Sequence, residues 1–255
     1  MAAGDATLAE LCAVACAEAW RGDGVLLASP IGTLPTIGAR LAKATFEPDL
    51  LLTDGEALLV ANTLAVGPGD HHKVVEGWMP YRLSFDVVWA GRRHVMMGAT
   101  QIDRWGNQNI SCIGDWQRPK AQLLGMRGGP GNTVNHPTSY WVPNHSPRAF
   151  VEHVDVVSGV GPRRAAEAGP SASRYNDIRV VVSNKGVFDF DTPDRSMRMR
   201  SLHPGVTVDE VASLTGFSLV VADDVPSTRA PTDEELRLIR DVIDPSGLRD
   251  AEVKA

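Results

Sequence analysis

Cysteine is scarce in this sequence, with three among 255 residues. That number is odd and Cys112 stands far from the other two, which excludes a disulfide framework and any familiar zinc spacing. Cys12 and Cys16 fall four apart in a helical pattern and read as small apolar core residues in a reducing compartment, so a cytoplasmic chain is expected. Positive charge is also in short supply. Lys and Arg total 25 against 31 Asp and Glu, a formal charge of −6, which argues against a broad nucleic-acid surface. Local arginine clusters (Arg92-Arg93, Arg163-Arg164, Arg195/Arg198/Arg200) still leave room for a small anionic ligand. No apolar run approaches the roughly 20 residues that span a bilayer, and no secretory leader is visible. Internal repeats and long linkers are missing too. The 24 Gly and 17 Pro are scattered, so one domain over residues 1–255 is expected.

What is present reads as alternating strands and helices. Thr7 to Glu10 forms a capping box, with Leu8, Leu11, Cys12, Ala15, Cys16 and Ala19 on one helical stripe. Val25 to Ala28 and Leu50 to Thr53 are continuous apolar strands, separated by a helix that ends near Ala44. A helix over Ser84 to Gly91 feeds a strand at Val95. Later strands are expected over Phe150 to Val157, Ile178 to Ser183 and Phe217 to Val221, with a short antiparallel addition from Val187–Phe190 and Ser196–Leu202. Thr207 with Glu210 and Thr232 with Glu235 open two further helices; the second carries Leu236, Ile239 and Ile243 on one face and stops at Pro245 and Gly247. Apolar strands joined through helices imply an α/β fold, an open three-layer α/β/α sandwich with a mostly parallel sheet. Ligands in such sheets lie beyond the carboxyl ends of strands. Ser29-Pro30, Thr53 to Glu56 and Thr100-Gln101 are those ends here.

The richest stretch runs from His94 to His136. An apolar run ends in an amide-laden turn with Gln101, Asn107, Gln108 and Asn109. A glycine loop follows: Gly125, Arg127, Gly128, Gly129, Pro130, Gly131 and Asn132. Gln101 and Asn107 are neutral donors for a carbonyl oxygen, although an Asn after Gly also suits a turn for its backbone alone. The N–H groups of Gly128 and Gly129 are candidate oxyanion donors, and Arg127 and Asn132 are candidate ligand-binding side chains of the same loop. Arg127 suits a carboxylate. His136 and His145 are candidate bases, or simply loop histidines.

Four motifs in order resemble the β subunit of class I coenzyme A transferases over nearly the whole chain. They are T-D-G-E-A-L (53–58), G-A-T-Q-I-D-R-W-G-N (98–107), the glycine loop from Gly125, and H-P-G-V-T (203–207) with T-G-F (215–217). Asp54-Gly55-Glu56, Trp78-Met79-Pro80, Gly131-Asn132-Thr133 and Val187 to Phe190 are similar to one branch in particular. Its members are β subunits of actinobacterial enzymes that hydrolytically open the last steroid ring as a CoA ester. The resemblance implies an α-subunit partner, most simply in an α2β2 assembly, and an acyl-CoA substrate, with coenzyme A entering as part of that substrate and no separate cofactor.

The transferase pattern S-E-x-G-x-L supplies a glutamate that attacks the thioester. Here Asp54 takes its place, one methylene shorter, and glycine follows directly. A register using Glu56 puts Leu58 where glycine belongs. Neither matches the nucleophile, and misplacement by about 1 Å can cost about a hundredfold in rate. Water-dependent C–C cleavage, with Asp54 or Glu56 positioning water or the carboxylate coming from the partner, is therefore the leading expectation. A CoA transferase working through Asp54, a scaffold subunit and a sugar-phosphate-sensing module are the competing ones.

Overall fold

The computed structural model describes residues 6–69 and 71–253. They form two compact units, Met1–Met97 with Arg229–Ala255, and Gly98–Thr228.

In the first unit, Thr7 caps helix α1 (Leu8–Glu18) through a complete box: its hydroxyl accepts the Glu10 N–H at 3.2 Å and Glu10 accepts the Thr7 N–H at 2.9 Å. Strand β1 (Leu27–Pro30) follows, then helix α2 (Thr33–Ala44), the hairpin of β2 (Leu58–Val60) and β3 (Val75–Trp78), helix α3 (Tyr81–Trp89) and strand β4 (Arg93–Gly98). β1 and β4 pair in parallel, Leu27 opposite Arg93. α1 crosses α2 at Gly38, where a β-carbon would lie 2.8 Å from the Ala17 nitrogen and the Cys16 β-carbon. The crossing is close enough to bury Cys12 and Cys16 completely. Burial raises the Cys12 thiol to about 12.

The closing segment starts with a second complete capping box, Thr232 with Glu235. It continues from an α-helix (Asp233–Arg237) into a π-helical turn (Leu238–Ile243) that buries Ile239 and Ile243. Arg240 reaches the buried Glu10 carboxylate with two bonds, 2.7 and 2.9 Å, and Arg249 adds one at 3.2 Å. Burial works to raise the Glu10 pKa, but these cations and the Thr7 N–H outweigh it and hold the carboxyl below its usual range.

The second unit opens with the hairpin of β5 (Gln101–Ile102) and β6 (Gln108–Asn109), followed by β7 (Cys112–Ile113), β8 (Ala121–Gln122), α4 (Gly129–Asn135) and β9 (Pro137–Val142). After α5 (Pro162–Glu167) and α6 (Pro170–Ser173) come β10 (Asp177–Ser183), β11 (Gly186–Asp189), β12 (Arg198–Leu202) and α7 (Val208–Ser213). β9 and β10 are parallel, whereas β11 and β12 add on antiparallel, the latter as expected. Among the core side chains are Tyr140, Phe150, Phe188 and Phe190. His145 stacks flat on Phe150, centroids 3.7 Å apart, and also contacts Phe188. Its Nε2 lies 2.9 Å from the Thr215 hydroxyl, which donates its own hydrogen to the Val211 carbonyl, so the proton of this bond belongs to His145.

Several expected elements are different. α1 is buried nearly all round instead of along one stripe, because helix α2 and the closing arginines enclose it. Leu50 to Thr53 makes only isolated bridges, through Leu51 and Thr53, although Leu50 and Leu52 are core residues. α3 starts at Tyr81, three residues before the expected Ser84, because Pro80 already holds the extended angles of a cap. Phe150 to Val157 is not a strand. It bridges Ile102 at Phe150 only, and its Asp155 N–H goes to the Gln101 side chain (3.0 Å) instead of a neighbouring backbone. Phe217 to Val221 contributes a single bridge, Val220 to Arg198. Glu210 leaves the Thr207 box half made, since its carboxylate pairs with Lys185 at 2.8 Å.

Removing the buried carboxylate by Glu10→Ala leaves Arg249 without one of its charge partners. Breaking a buried pair from one side costs about 3 kcal/mol, or roughly 6–12 °C in melting temperature for a chain of this size, measurable by calorimetry. Burial lowers His145 to about 3 and His203 to about 4, helped in each by the charge of Lys185 and opposed in His203 by its bond to the Ser183 carbonyl. Imidazoles in the unfolded chain titrate near about 6.5. The two histidines therefore cost no stability above that pH, and stability falls as acid protonates the unfolded state. The slope is at most about 1.4 kcal/mol per pH unit for each. Urea unfolding between pH 7 and 5 should show this slope, and His145→Gln should roughly halve it; an unchanged slope contradicts the assignment.

Candidate functional site

The second unit builds its site on a buried acid. Asp103 directly follows β5, and its Oδ1 accepts the N–H groups of Trp105 (2.9 Å) and Asn107 (3.0 Å). Its Oδ2 accepts from the Asn107 amide at 2.9 Å. Burial raises the Asp103 pKa and outweighs those three bonds. Asn107 in turn accepts the Gly161 N–H at 2.9 Å. Its amide thus ties loop to loop, which is structural work in place of the expected bond to substrate. Gln101 is similarly engaged: its oxygen accepts from Asn109 (2.7 Å) and from the Asp155 N–H (3.0 Å), and its nitrogen donates to Asp155 at 3.2 Å.

The glycine loop divides into a fixed part and an open part. Gly129 is buried, and a β-carbon there would meet the Ser158 carbonyl oxygen at 2.8 Å. Its N–H donates to the Met126 carbonyl at 3.0 Å, which removes it as an oxyanion donor. Gly128 is exposed and its neighbours leave ordinary space. Arg127 is exposed with φ of 50°, and it donates to the Leu124 carbonyl at 3.1 Å. Asn132 is buried in α4. His145 belongs to the aromatic core and is neutral there, so it is no base. His136 is also buried, with Nδ1 3.0 Å from the Pro137 carbonyl.

In the first unit, Asp54 and Glu56 share one turn. The Asp54 carboxylate accepts the N–H groups of Glu56 (3.0 Å) and Leu58 (3.1 Å) on one oxygen and the Lys73 ammonium (2.7 Å) on the other. Burial raises its pKa, but the Lys73 bond and the two amides prevail and hold it below the usual range. Glu56 is exposed. His94, where the richest stretch of sequence begins, is buried against Asp23 at 2.6 Å.

A cavity of about 490 Å³ opens in the second unit where Ala99 to Gln101 leave β4 and Pro143-Asn144 leave β9. That volume is typical of a small-molecule site. Ile113, Val142, Ala149 and Val151 make its apolar wall, Thr100, Asn144 and Ser146 its polar points, and Arg148 its one charge. Of the candidate residues only Gln101 lines it. The cavity lies at the strand end Thr100-Gln101; Asp103, Asp155 and Arg148 were not among the candidates. Asp103 did carry a signal, an acid four residues before Asn across a glycine turn. Arg148 carried none, because the cavity is assembled from segments far apart in sequence. Among the described residues, no group of three or more His, Cys, Asp or Glu is arranged to hold a metal ion, and no helix is long and apolar enough to cross a membrane.

No protein-family model matches the chain. Individual relatives do. Over 249 residues it is 57% identical to the cholesterol ring-cleaving hydrolase IpdB subunit of Rhodococcus jostii (strain RHA1), covering 98% of this chain and 97% of that one. The crystal structure of Rhodococcus jostii RHA1 IpdAB matches with a TM-score of 0.93 at 56% identity, covering 98% and 100% of the two chains. Glutaconate coenzyme A-transferase from Acidaminococcus fermentans matches with a TM-score of 0.81 at 25% identity, covering 98% of each. The chain belongs to the family of IpdB subunits, on the α/β fold of the coenzyme A transferases.

Proposed function

We propose that this chain is the β subunit of a cytoplasmic, hetero-oligomeric hydrolase that opens the last ring of a steroid-derived cyclic β-oxo or enone acyl-CoA by adding water across a C–C bond. The Rhodococcus relative, a cholesterol ring-cleaving hydrolase subunit, supports the substrate class and the α partner. The observation that carries the chemistry is the Asp54 carboxylate, engaged by two amide N–H groups on one oxygen and by Lys73 on the other. A carboxylate so engaged, and one methylene short, does not attack a thioester.

The reaction needs no enzyme-bound acyl group. Water adds to the ring ketone, giving a tetrahedral oxyanion. Collapse of that oxyanion breaks the bond to the carbon beside the thioester, and the electron pair leaves as the thioester enolate, which takes a proton. The water oxygen ends in a new carboxylate and the CoA ester survives. Coenzyme A enters as part of the substrate, and the chain uses no cofactor of its own. In this reading the cavity beside Gln101 receives the acyl part, with Arg148 facing the nascent carboxylate. The base that activates water comes from the α subunit of an α2β2 assembly, since Asp54 is engaged and Asp103 is buried beneath its turn; the exposed Glu56 is the candidate of this chain still open to the role.

The co-purified complex, run in ¹⁸O-labelled water with the cyclic acyl-CoA, should place label in the new free carboxyl group and release no CoA. The intact mass of this chain should not change during turnover. Asp54→Asn should keep kcat within about tenfold, against the several orders of magnitude lost with a true nucleophile. Free CoA formed in step with label uptake, or a CoA-sized adduct on this chain, overturns the reading.

A further inference from the structure

In the first unit, helix α3 is mounted with its aromatic side outward. Ser84, Val87 and Val88 are half-buried, while Tyr81, Phe85 and Trp89 repeat every four residues on the side turned to solvent. None of the nine residues of this helix is buried. Tyr81 and Phe85 meet edge to face, centroids 5.2 Å apart, and Trp78 at the end of β3 extends the row. Exposure is 71% at Trp78, 81% at Tyr81, 49% at Phe85 and 72% at Trp89.

A large aromatic side chain presents roughly 150–250 Å². These four rings alone therefore leave on the order of 500 Å² in solvent, already at the upper end of the largest patch a monomer shows. That is already more than half of the roughly 800 Å² that each partner contributes to a stable interface. Arg82 and Asp86, exposed beside the aromatic row, supply the polar rim such an interface carries.

The face is continuous with the turn that holds Asp54. Leu58, whose N–H the Asp54 carboxylate binds, pairs with Trp78 across the β2–β3 hairpin. Lys73, which holds the other oxygen, immediately precedes Val74. We infer that the α subunit of the hydrolase docks on this aromatic face, burying Trp78, Tyr81, Phe85 and Trp89 and thereby seating itself against the Asp54 turn. The inference rests on the two-subunit reading above but not on its chemistry. With the Asp54 carboxylate engaged, the two-subunit reading places the partner at that turn, and the aromatic row is the exposed surface leading to it.

The test is assembly, read without any activity assay. This chain is co-expressed with its α subunit as wild type, as Phe85→Glu/Trp89→Glu, and as Tyr175→Glu, an exposed aromatic of the second unit. Light scattering with dilution should show heteromer affinity weakened on the order of 100-fold in the double variant, as for paired aromatic hot spots, and unchanged in Tyr175→Glu. Backbone amides 74–89 of the wild type should exchange more slowly in the complex than in the chain alone, which decides the matter even if the double variant misfolds. Unchanged exchange over 74–89, or a double variant that assembles as tightly as wild type, overturns the inference. So does a double variant that still forms αβ pairs but loses only their further dimerisation, since the face would then belong to a second copy of this chain.

Discussion

One buried carboxylate keeps the second unit in register. Asp103 gathers the N–H groups of Trp105 and Asn107 and the Asn107 side chain, and Asn107 passes the constraint on to Gly161. At Gly161 the chain presses so tightly on the Trp105 carbonyl that a β-carbon would overlap its oxygen, at 1.9 Å. Such a contact persists only because hydrogen bonds on both sides over-determine it. A buried charge with its donors removed would be expensive, so the turn, the hairpin behind it and the strand end at Gln101 are locked together. Burial leaves the Asp103 pKa raised despite the three bonds.

The amides of this motif look, in one dimension, like a set of donors waiting for a ligand. In three dimensions most of that capacity is spent inside the protein: Gln101 on Asn109 and Asp155, Asn107 on Asp103 and Gly161, Asn109 on Gln101 and the Cys112 carbonyl. Their contribution to the site is shape. They hold Ala99 to Gln101 as one wall of a cavity whose remaining walls come from Ile113 and from Val142 to Val151. A subunit that served only to support its partner would have no need for a cavity with an apolar wall and one arginine.

How far the sequence revealed this follows from what each feature depends on. Capping boxes at Thr7 and Thr232 were legible because a cap is a local contract between residues three apart, and both are complete. The β10–β11–β12 meander was legible for the same reason, as neighbouring strands joined by short turns. Leu50 to Thr53, Phe150 to Val157 and Phe217 to Val221 were apolar enough for strands, but pairing needs a free neighbouring edge, which no local pattern reports. The site was harder still. Donor capacity is visible in a sequence, whereas its consumption by Asp155, Asp103 or Met126 depends on contacts between distant segments. The α3 helix shows the same limit: its period is plain, yet which side faces solvent emerges only after folding.

In the hydrolytic reading proposed above, the turn at Asp54 accounts for how a transferase fold can give up transfer without losing its substrate. Nucleophilic attack requires a carboxylate lone pair that is aimed and loosely held. Here one oxygen is shared by two amides and the other faces an ammonium 2.7 Å away, and the resulting drop in pKa also makes the group a weaker base and nucleophile. The bond that then yields is the one whose electrons have somewhere to go. In a cyclic β-oxo thioester that is the C–C bond next to the thioester, because the enolate formed by its cleavage is stabilised by the very group a transferase would have attacked. Water at the ring ketone is sufficient for this, provided that bulk water is kept from the thioester itself. Exclusion of solvent is a task for apolar surface, and Trp78, paired with Leu58 beside the silenced carboxylate, puts such surface next to that turn.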